Sequence, residues 1–143
     1  MEYLFLYSKL SSRCWDEPAV KATFSLSITL SSNLTAISNM PETSVKYLPE
    51  GKKKITFDKS PIMSTYLLAW AIGEFDYLQT VTKNGVTLRV YCPPGRSQQG
   101  KFALQVGQRA LDFFDDFFQI RYPLPKMDML CVTEFAMGAM ENW

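Results

Sequence analysis

The period of the apolar residues changes once along this chain, at Pro93-Pro94-Gly95. Before this point, as over residues 24–30, apolar and polar side chains alternate, which is the pattern of a half-buried β-strand. After it, apolar residues recur at spacings of three and four from about residue 99 to residue 118, which marks one face of an amphipathic helix. Since Pro-Pro-Gly also breaks regular structure, the sequence predicts a β-rich module followed by a helix.

Further elements are predicted on both sides of this break. Strands are expected over residues 34–40, 54–57 and 127–132, and a long central strand over residues 63–75. Asn84-Gly85 is the strongest hairpin signal, because both residues accept the positive φ angles of a type I′ turn. In the helix, four phenylalanines are expected to pack in a core while three aspartates lie in solvent on the opposite face: Phe113, Phe114, Phe117 and Phe118 against Asp112, Asp115 and Asp116.

These patterns predict a mixed fold class, in which a β-rich sheet or sandwich module precedes the opening of an α/β or α+β domain. The boundary between the two is placed at Pro93-Pro94-Gly95. One helix and one strand are too little for a second domain, and the last residue, Trp143, is a large apolar side chain with nothing after it. The chain is therefore expected to be a fragment.

Composition excludes several function classes. The formal net charge is +1, from 15 Lys and Arg against 14 Asp and Glu, so neither nucleic acid nor a membrane is an expected partner. The chain contains no histidine, which excludes histidine zinc sites and Ser-His or Cys-His dyads within it. Its three cysteines form no C-x-x-C pair, which favours reduced thiols and a cytoplasmic location. Asn33-Leu34-Thr35 is a glycosylation sequon, but that matters only in a secreted chain.

The run Gly138-Ala139-Met140-Glu141-Asn142 is the part of the chain best suited to bind a ligand. Gly138 lacks a Cβ atom, so another backbone can approach closely, and an extended segment can bind a peptide by strand addition. A Glu141 carboxylate ~4 Å from a peptide's ammonium group would gain on the order of 4 kcal/mol at an effective dielectric of 20, before desolvation. An uncharged internal amide gains none of this, so the site would select free N-termini. On residue chemistry alone, a surface loop is the default interpretation of these five residues.

Five segments together resemble a known family. Residues 138–143, GAMENW, match the G-x-M-E-N motif of the zinc metallo-aminopeptidases of the gluzincin type. The other four segments are similar to that family's C-W-D-E-P-A, S-N-M-P, M-S-T-Y-L-L-A and Y-P-L-P-K-x-D stretches, and they lie at residues 14–19, 38–41, 63–69 and 122–128. The similarity is greatest to the puromycin-sensitive aminopeptidase branch.

The resemblance implies a domain layout and a role for the C-terminal run. Residues 14–94 would be the later part of a saddle-like N-terminal β domain, and residues 95–143 the beginning of a thermolysin-like catalytic domain, truncated before the zinc motif. Residues 1–13 do not fit the family pattern and are interpreted as an atypical N-terminal segment that is not native to the fold. Glu141 would bind the α-ammonium group of a peptide substrate, and Gly138, Ala139, Met140 and Asn142 would complete the substrate site.

The zinc ligands and catalytic residues lie downstream in the family, so this chain is expected to hold no catalytic residue, bind no zinc and be inactive alone. Two alternatives stay open: a non-catalytic β-rich module that binds peptides or a partner protein, and an unstable partial product. Cys131 is interpreted as a buried core residue rather than a nucleophile. Asp16-Glu17 is interpreted as a structural turn before Pro18, and Glu134 as equally suited to the cleft border or a surface loop.

Overall fold

The computed structural model describes the backbone of residues 4–7 and the whole of residues 14–132 and 138–143. The chain divides into two compact units. The first unit comprises Met1–Glu74 together with Phe135–Trp143, and the second comprises Phe75–Glu134. The C-terminal GAMENW residues therefore belong to the same unit as the N-terminal half of the chain.

The first unit is built from short strands: β1 (Leu4–Tyr7), β2 (Lys21–Ala22), β3 (Ser27–Ser31), β4 (Thr35–Ser38), β5 (Glu42–Leu48), β6 (Lys52–Phe57), β7 (Met63–Ser64) and β8 (Ala69–Gly73). Strand β8 lies between β1 and β4, and β6 lies between β3 and β5. Strand β2 pairs with β7, and all of these pairings are antiparallel. The predicted β-rich module is confirmed.

Buried side chains that alternate with exposed ones along β3 and β6 form part of the core of this unit, as the sequence predicts. Ile28 and Leu30 of β3 are buried between exposed neighbours, and Ile55 and Phe57 of β6 are buried likewise. Ile28 lies directly opposite Ile55 in the ladder, so the two buried side chains share one face of the sheet. A shift of one residue in this pairing would expose that whole apolar set, so the pattern fixes the register.

The predicted long strand over residues 63–75 is wrong. The segment forms β7, then a 3₁₀ turn over Thr65–Leu67, then β8. The Leu68 N–H donates to the Thr65 carbonyl, which closes the turn and removes this N–H from any strand ladder. Strand β7 pairs with β2, whereas β8 pairs with β1 and β4, so the turn marks the point where the chain changes sheets.

Strand β5 is not predicted by the sequence analysis. It lies at the edge of its sheet, and its residues are exposed apart from the half-buried Leu48. An edge strand that buries neither face has no apolar period to reveal it. The turn that follows β5 places both Glu50 and Gly51 at positive φ (58° and 65°).

The second unit contains β9 (Asp76–Val81), β10 (Thr87–Cys92), a 3₁₀ turn over Ser97–Gly100, helix α1 (Lys101–Phe118) and β11 (Lys126–Leu130). Strand β10 is central, antiparallel to β9 and parallel to β11. Its Leu88 and Val90 are among the most deeply buried side chains of the described residues. The helix connects the two parallel strands, as a parallel crossover requires. The predicted helix and final strand are confirmed to within two residues at each end.

The predicted orientation of the helix is wrong. Phe113, Phe114, Phe117 and Phe118 are exposed, whereas Asp115 is buried. The aspartates face the β9–β10 hairpin, where the Lys83 N–H donates to Asp112 at 3.0 Å and the Asn84 amide donates to Asp115 at 2.6 Å. These polar contacts, rather than the phenylalanines, lie on the face of the helix that packs on the hairpin loop.

The β9–β10 hairpin is confirmed, but its turn is not type I′. Of Asn84 and Gly85, only Gly85 has a positive φ (86°). The Gly85 N–H donates to the Thr82 carbonyl, and Thr82 and Val86 are joined by a second backbone hydrogen bond. This is the pattern of an ordinary turn followed by a left-handed glycine, the common longer hairpin loop.

The described residues thus form a β-rich fold with one α-helix near the C-terminal end of the chain. Within residues 14–132 and 138–143, no helix is long and apolar enough to cross a membrane. In the N-terminal segment, the backbone of β1 pairs with β8, with Leu4 opposite Ile72. The structural division at Glu74/Phe75 lies some residues before Pro93-Pro94-Gly95, because the β9–β10 hairpin packs with the helix.

Candidate functional site

The Thr65–Leu67 turn is the place in the first unit where several of the recognised segments meet. On its N-terminal side, the Ser64 hydroxyl donates to the Pro18 carbonyl at 2.6 Å, and Lys21 pairs with Ser64 through β2 and β7. These contacts attach the C-W-D-E-P-A segment to the start of the turn. Within that segment, Glu17 accepts backbone hydrogen bonds from Ala19 and Val20, so the structural role predicted for it is confirmed.

Asn39 attaches the end of β4 to the other side of the turn. Its side-chain NH₂ donates to the Leu67 carbonyl at 2.8 Å, and its side-chain oxygen accepts from the Ala69 N–H at 2.9 Å. The neighbouring Ser38 is buried and donates from its hydroxyl to the Ala69 carbonyl at 2.8 Å. Asn39 is therefore held in one orientation by partners on both its amide nitrogen and its amide oxygen.

The GAMENW residues reach this same turn. The Asn39 side-chain NH₂ also donates to the main-chain oxygen of Trp143 at 2.5 Å. The Asn142 side-chain NH₂ donates to the Leu67 carbonyl at 3.1 Å, so Leu67 accepts from two asparagine side chains. Asn142 is consequently bonded to the turn directly, and Trp143 is bonded to the Asn39 side chain, which is itself bonded to the turn.

Glu141 lies directly before this anchored pair and is exposed. Among the residues that the structure describes, none donates a hydrogen bond or forms an ion pair to its carboxylate. Met140 is half-buried, and Gly138 and Ala139 are exposed. The carboxylate thus follows a half-buried residue, precedes two anchored ones and is open to a ligand.

Gly138 is needed for a reason that differs from the expected one. Its φ is +78°, a conformation that L side chains rarely adopt. A Cβ atom placed on it would meet none of the other described atoms within 4 Å, so no close backbone approach accounts for the glycine within the chain itself. Residues 138–143 also form no strand in the described structure, which leaves them without a neighbouring strand.

An open cavity of about 390 Å³ borders the same turn at Thr65. It is lined by residues 14–17, Val20, Ala22 and Thr65. Thr65 begins the turn that Leu67 ends, so the cavity and the anchored residues 142 and 143 share one short structural element. Trp15 at the cavity is 85% exposed and offers a large apolar surface.

In the second unit, burial alters the acid–base properties of several groups. Burial raises the pKa of Tyr91 to about 12, with a further contribution from the nearby Asp128 carboxylate. The same two causes raise the pKa of Tyr122. Asp128 forms an ion pair with Lys126 at 2.6 Å, and both side chains are only 8% exposed. The sequence analysis did not identify this pair, because nothing in Lys-x-Asp distinguishes a buried ion pair from a surface one.

The cysteines differ from expectation. Cys131 is exposed rather than buried, whereas Cys92 is buried, and their sulfur atoms lie 3.8 Å apart as free thiols. Burial raises the pKa of the Cys92 thiol to about 11. No group of three His, Cys, Asp or Glu side chains that could hold a metal ion occurs among residues 14–132 and 138–143. Glu134 lies outside the described residues.

Two parts of this chain match known protein families. Residues 8–67 match the Peptidase M1 N-terminal domain, and residues 102–143 match the Peptidase family M1 domain. The two matches define the class: part of a Peptidase M1 N-terminal domain followed by part of a Peptidase family M1 domain. The chain belongs to the peptidase M1 family.

Curated relatives agree with this assignment. The chain is 50% identical over 130 residues to Aminopeptidase M1 of Arabidopsis thaliana. This alignment covers 91% of the chain and 15% of the relative. It is 44% identical over 138 residues to a puromycin-sensitive aminopeptidase of Caenorhabditis elegans, covering 96% of the chain and 15% of the relative. It is also 45% identical over 133 residues to the thyrotropin-releasing hormone-degrading ectoenzyme of Rattus norvegicus. This alignment covers 91% of the chain and 12% of the relative. The chain thus spans about 12% to 15% of the length of these relatives.

Proposed function

We propose that this chain forms the amine-recognising part of the substrate site of an aminopeptidase that removes residues from the free N-termini of peptides. In this proposal Glu141 binds the α-ammonium group of the peptide, and Gly138, Ala139, Met140 and Asn142 complete the site around it. The observation that carries the proposal is the position of Glu141. Its exposed carboxylate directly precedes Asn142, which is hydrogen-bonded to Leu67 of the turn, and Trp143, which accepts a hydrogen bond from Asn39.

Exposure sets the size of the effect expected from Glu141. Its carboxylate would gain on the order of 4 kcal/mol from an ammonium group ~4 Å away at an effective dielectric of 20, before desolvation. Exposed ion pairs retain at most about 1 kcal/mol of such a gain, because water screens the charges. We therefore expect this chain to prefer a free peptide N-terminus over an acetylated one by roughly fivefold in affinity.

Binding of one peptide in two forms tests the proposal. The dissociation constant of the purified chain is measured by calorimetry for a tripeptide with a free N-terminus and for the same peptide with an acetylated N-terminus. Wild-type protein should prefer the free amine, and Glu141→Gln should bind both forms equally. Glu42→Gln, which neutralises an exposed carboxylate on β5, is the matched control and should keep the preference. Equal binding of both peptides by the wild-type chain would contradict the proposed role of Glu141.

We further propose the domain layout implied by the resemblance, with residues 14–94 as the later part of the N-terminal β domain and residues 95–143 as the start of the catalytic domain. The family matches support it, since they leave residues 68–101 unassigned and the proposed boundary falls within that interval. The match that begins at residue 8 includes part of the segment 1–13, whose atypical character remains a prediction.

Zinc belongs to the proposed full-length enzyme, and the described residues of this chain offer it no ligand set. We therefore expect the 143-residue chain to hydrolyse no peptide and to bind no stoichiometric zinc. Incubation with an aminoacyl fluorogenic substrate, with and without a chelator, tests the first expectation, and metal analysis after dialysis against zinc tests the second. Activity that the chelator abolishes would contradict both. Amine-selective binding without hydrolysis is also what the alternative, a non-catalytic peptide-binding module, requires.

We infer a cytoplasmic location, supported by the three free thiols. One relative is named an ectoenzyme, so the family name alone does not decide the compartment. Asn33 provides a direct test, because it is exposed and begins a glycosylation sequon. We expect mass spectrometry of the native protein to find Asn33 unmodified, and a glycan on this residue would contradict the inferred location.

A further inference from the structure

Three hydrogen bonds from one side chain join the two structural features that define the candidate site. Asn39 donates to the Leu67 carbonyl and to the Trp143 main-chain oxygen, and it accepts from the Ala69 N–H. It lies 104 residues from Trp143 in sequence, so this contact depends on the folded first unit. We propose that Asn39 is a positioning residue for amine recognition, which fixes Glu141 by tying the Trp143 main chain to the Thr65–Leu67 turn.

The side chain of Asn39 is suited to this task because an amide offers donors and acceptors at once. Its oxygen is occupied by the Ala69 N–H, which sets the orientation of the amide plane. The NH₂ group then points its two donors at two carbonyl-type oxygens, one on the turn and one on the GAMENW residues. A carboxylate of the same size could keep the first contact but would have no hydrogen to donate in the other two.

The surroundings of Asn39 make this anchor rigid. The side chains of Ser38 and Met40 on either side of it are buried, and the Ser38 hydroxyl is bonded to β8. The only other side-chain bond from residues 138–143 to the turn within the described structure is that of Asn142 to Leu67, at the longer distance of 3.1 Å. Asn39 therefore supplies the shorter and better supported of the two links.

Position matters for the neighbouring carboxylate because ionic recognition depends on distance. Coulomb energy varies inversely with the separation of the charges, and a mobile carboxylate also loses conformational entropy when it binds. An anchored backbone directly after Glu141 reduces that entropy loss. This inference rests on the proposed role of Glu141, but the anchor itself can be measured without any ligand.

Asn39→Asp is the most informative variant, because it removes both donated hydrogen bonds while leaving an acceptor for the Ala69 N–H. Asn33→Asp makes the same chemical change at an exposed loop position and is the matched control. NMR order parameters of the backbone amides of residues 138–143 measure the anchor. We expect them to fall from the range of rigid backbone, about 0.85, to below about 0.6 in Asn39→Asp, since the hydrogen bond that holds the Trp143 main chain is lost. Asn33→Asp should keep the wild-type order parameters.

The paired peptides measure the positioning role. We expect Asn39→Asp to lose the roughly fivefold preference for the free N-terminus while its circular dichroism spectrum stays that of wild type. A merely structural contribution would lower stability without changing this ratio. Asn142→Ala, which removes only the longer bond, should keep part of the preference.

Each result has a separate meaning. Unchanged order parameters at residues 138–143 in Asn39→Asp would overturn the anchor and with it the inference. Lower order parameters with a full remaining preference for the free amine would overturn the positioning role. If the wild-type chain shows no preference, the proposed role of Glu141 fails, and the positioning role falls with it, whatever the order parameters show about the anchor.

Discussion

The buried ion pair between Lys126 and Asp128 allows a quantitative test of the second unit. Its charged atoms lie 2.6 Å apart, and each side chain is 8% exposed. At an effective dielectric of 20, Coulomb attraction at this distance is about 6 kcal/mol, from which the desolvation of both ions must be subtracted. The Asp128 Oδ1 atom is buried and accepts no hydrogen bond from the residues that the structure describes, so the carboxylate depends heavily on Lys126.

We expect Lys126→Met to lower the free energy of unfolding by about 3–5 kcal/mol, because it leaves a buried carboxylate without its counter-ion. The double variant Lys126→Met/Asp128→Leu removes both charges and should recover most of this loss. Lys52→Met is the matched control: its partner Glu50 lies 3.1 Å away, but the two side chains are 52% and 79% exposed. Breaking this surface pair should cost less than about 1 kcal/mol.

Urea denaturation followed by circular dichroism measures all three variants, and the slope of the free energy against urea should stay unchanged if only stability is affected. Tyrosine absorbance provides a second measurement. The Asp128 charge contributes to the raised pKa values of Tyr91 and Tyr122, so removing it in the double variant should lower both. The reasoning would be refuted if Lys126→Met cost no more than Lys52→Met, or if the double variant were as unstable as the single one.

Two further predictions concern acid and thiol chemistry in the same unit. The hydrogen bond from the Asn84 side-chain amide is the main cause that holds the pKa of Asp115 below its usual value. The ionised carboxylate therefore stabilises the folded state above the unfolded-state pKa, and this contribution is lost as the pH falls through the folded-state pKa. Asn84→Ala should therefore melt at a lower temperature than wild type near neutral pH. The gap in melting temperature should close as the pH falls through the pKa of Asp115, and a constant gap would contradict this assignment. The pKa of the buried Cys92 thiol is raised to about 11, so little of it is thiolate at neutral pH. At about pH 8 it should react with a disulfide reagent roughly a hundredfold more slowly than the exposed Cys14 and Cys131. Equal rates would show that Cys92 is accessible.

Elements that depend on local period could be predicted from the sequence. The alternation at Ile28 and Leu30 gave β3, and the three- and four-residue spacing gave the helix, because each pattern reflects burial on one face of that element. Strand β5 has no such pattern, since it buries neither face. Its place in the sheet comes from pairing with β6, and that pairing is not encoded in the apolar period of β5 itself.

The orientation of the helix could not be predicted from its own amphipathicity. Hydrophobic periodicity identifies an apolar face, but it does not identify the partner surface. Here Gly107 allows close approach, since an added Cβ would lie 2.9 Å from Met129 and 3.0 Å from Leu88. Exposed phenylalanines stack instead on neighbours within the helix, Phe113 on Phe117 at 5.6 Å between ring centroids. The hairpin donors at Lys83 and Asn84 are 29 and 31 residues from the aspartates they bind, a distance that sequence reasoning does not span.

The failed prediction nearest the candidate site has a structural cause. The apolar run over residues 63–75 predicts an unbroken strand, yet the chain turns at Thr65–Leu67. A turn in an apolar run leaves backbone groups without ladder partners, and such groups must find other hydrogen bonds. Asn39 supplies them, since it bonds both the Leu67 carbonyl and the Ala69 N–H. The residue that makes the broken strand tolerable is thus also the residue that holds Trp143, and local patterns fail here because one distant side chain determines both the turn and the position of the segment that carries Glu141.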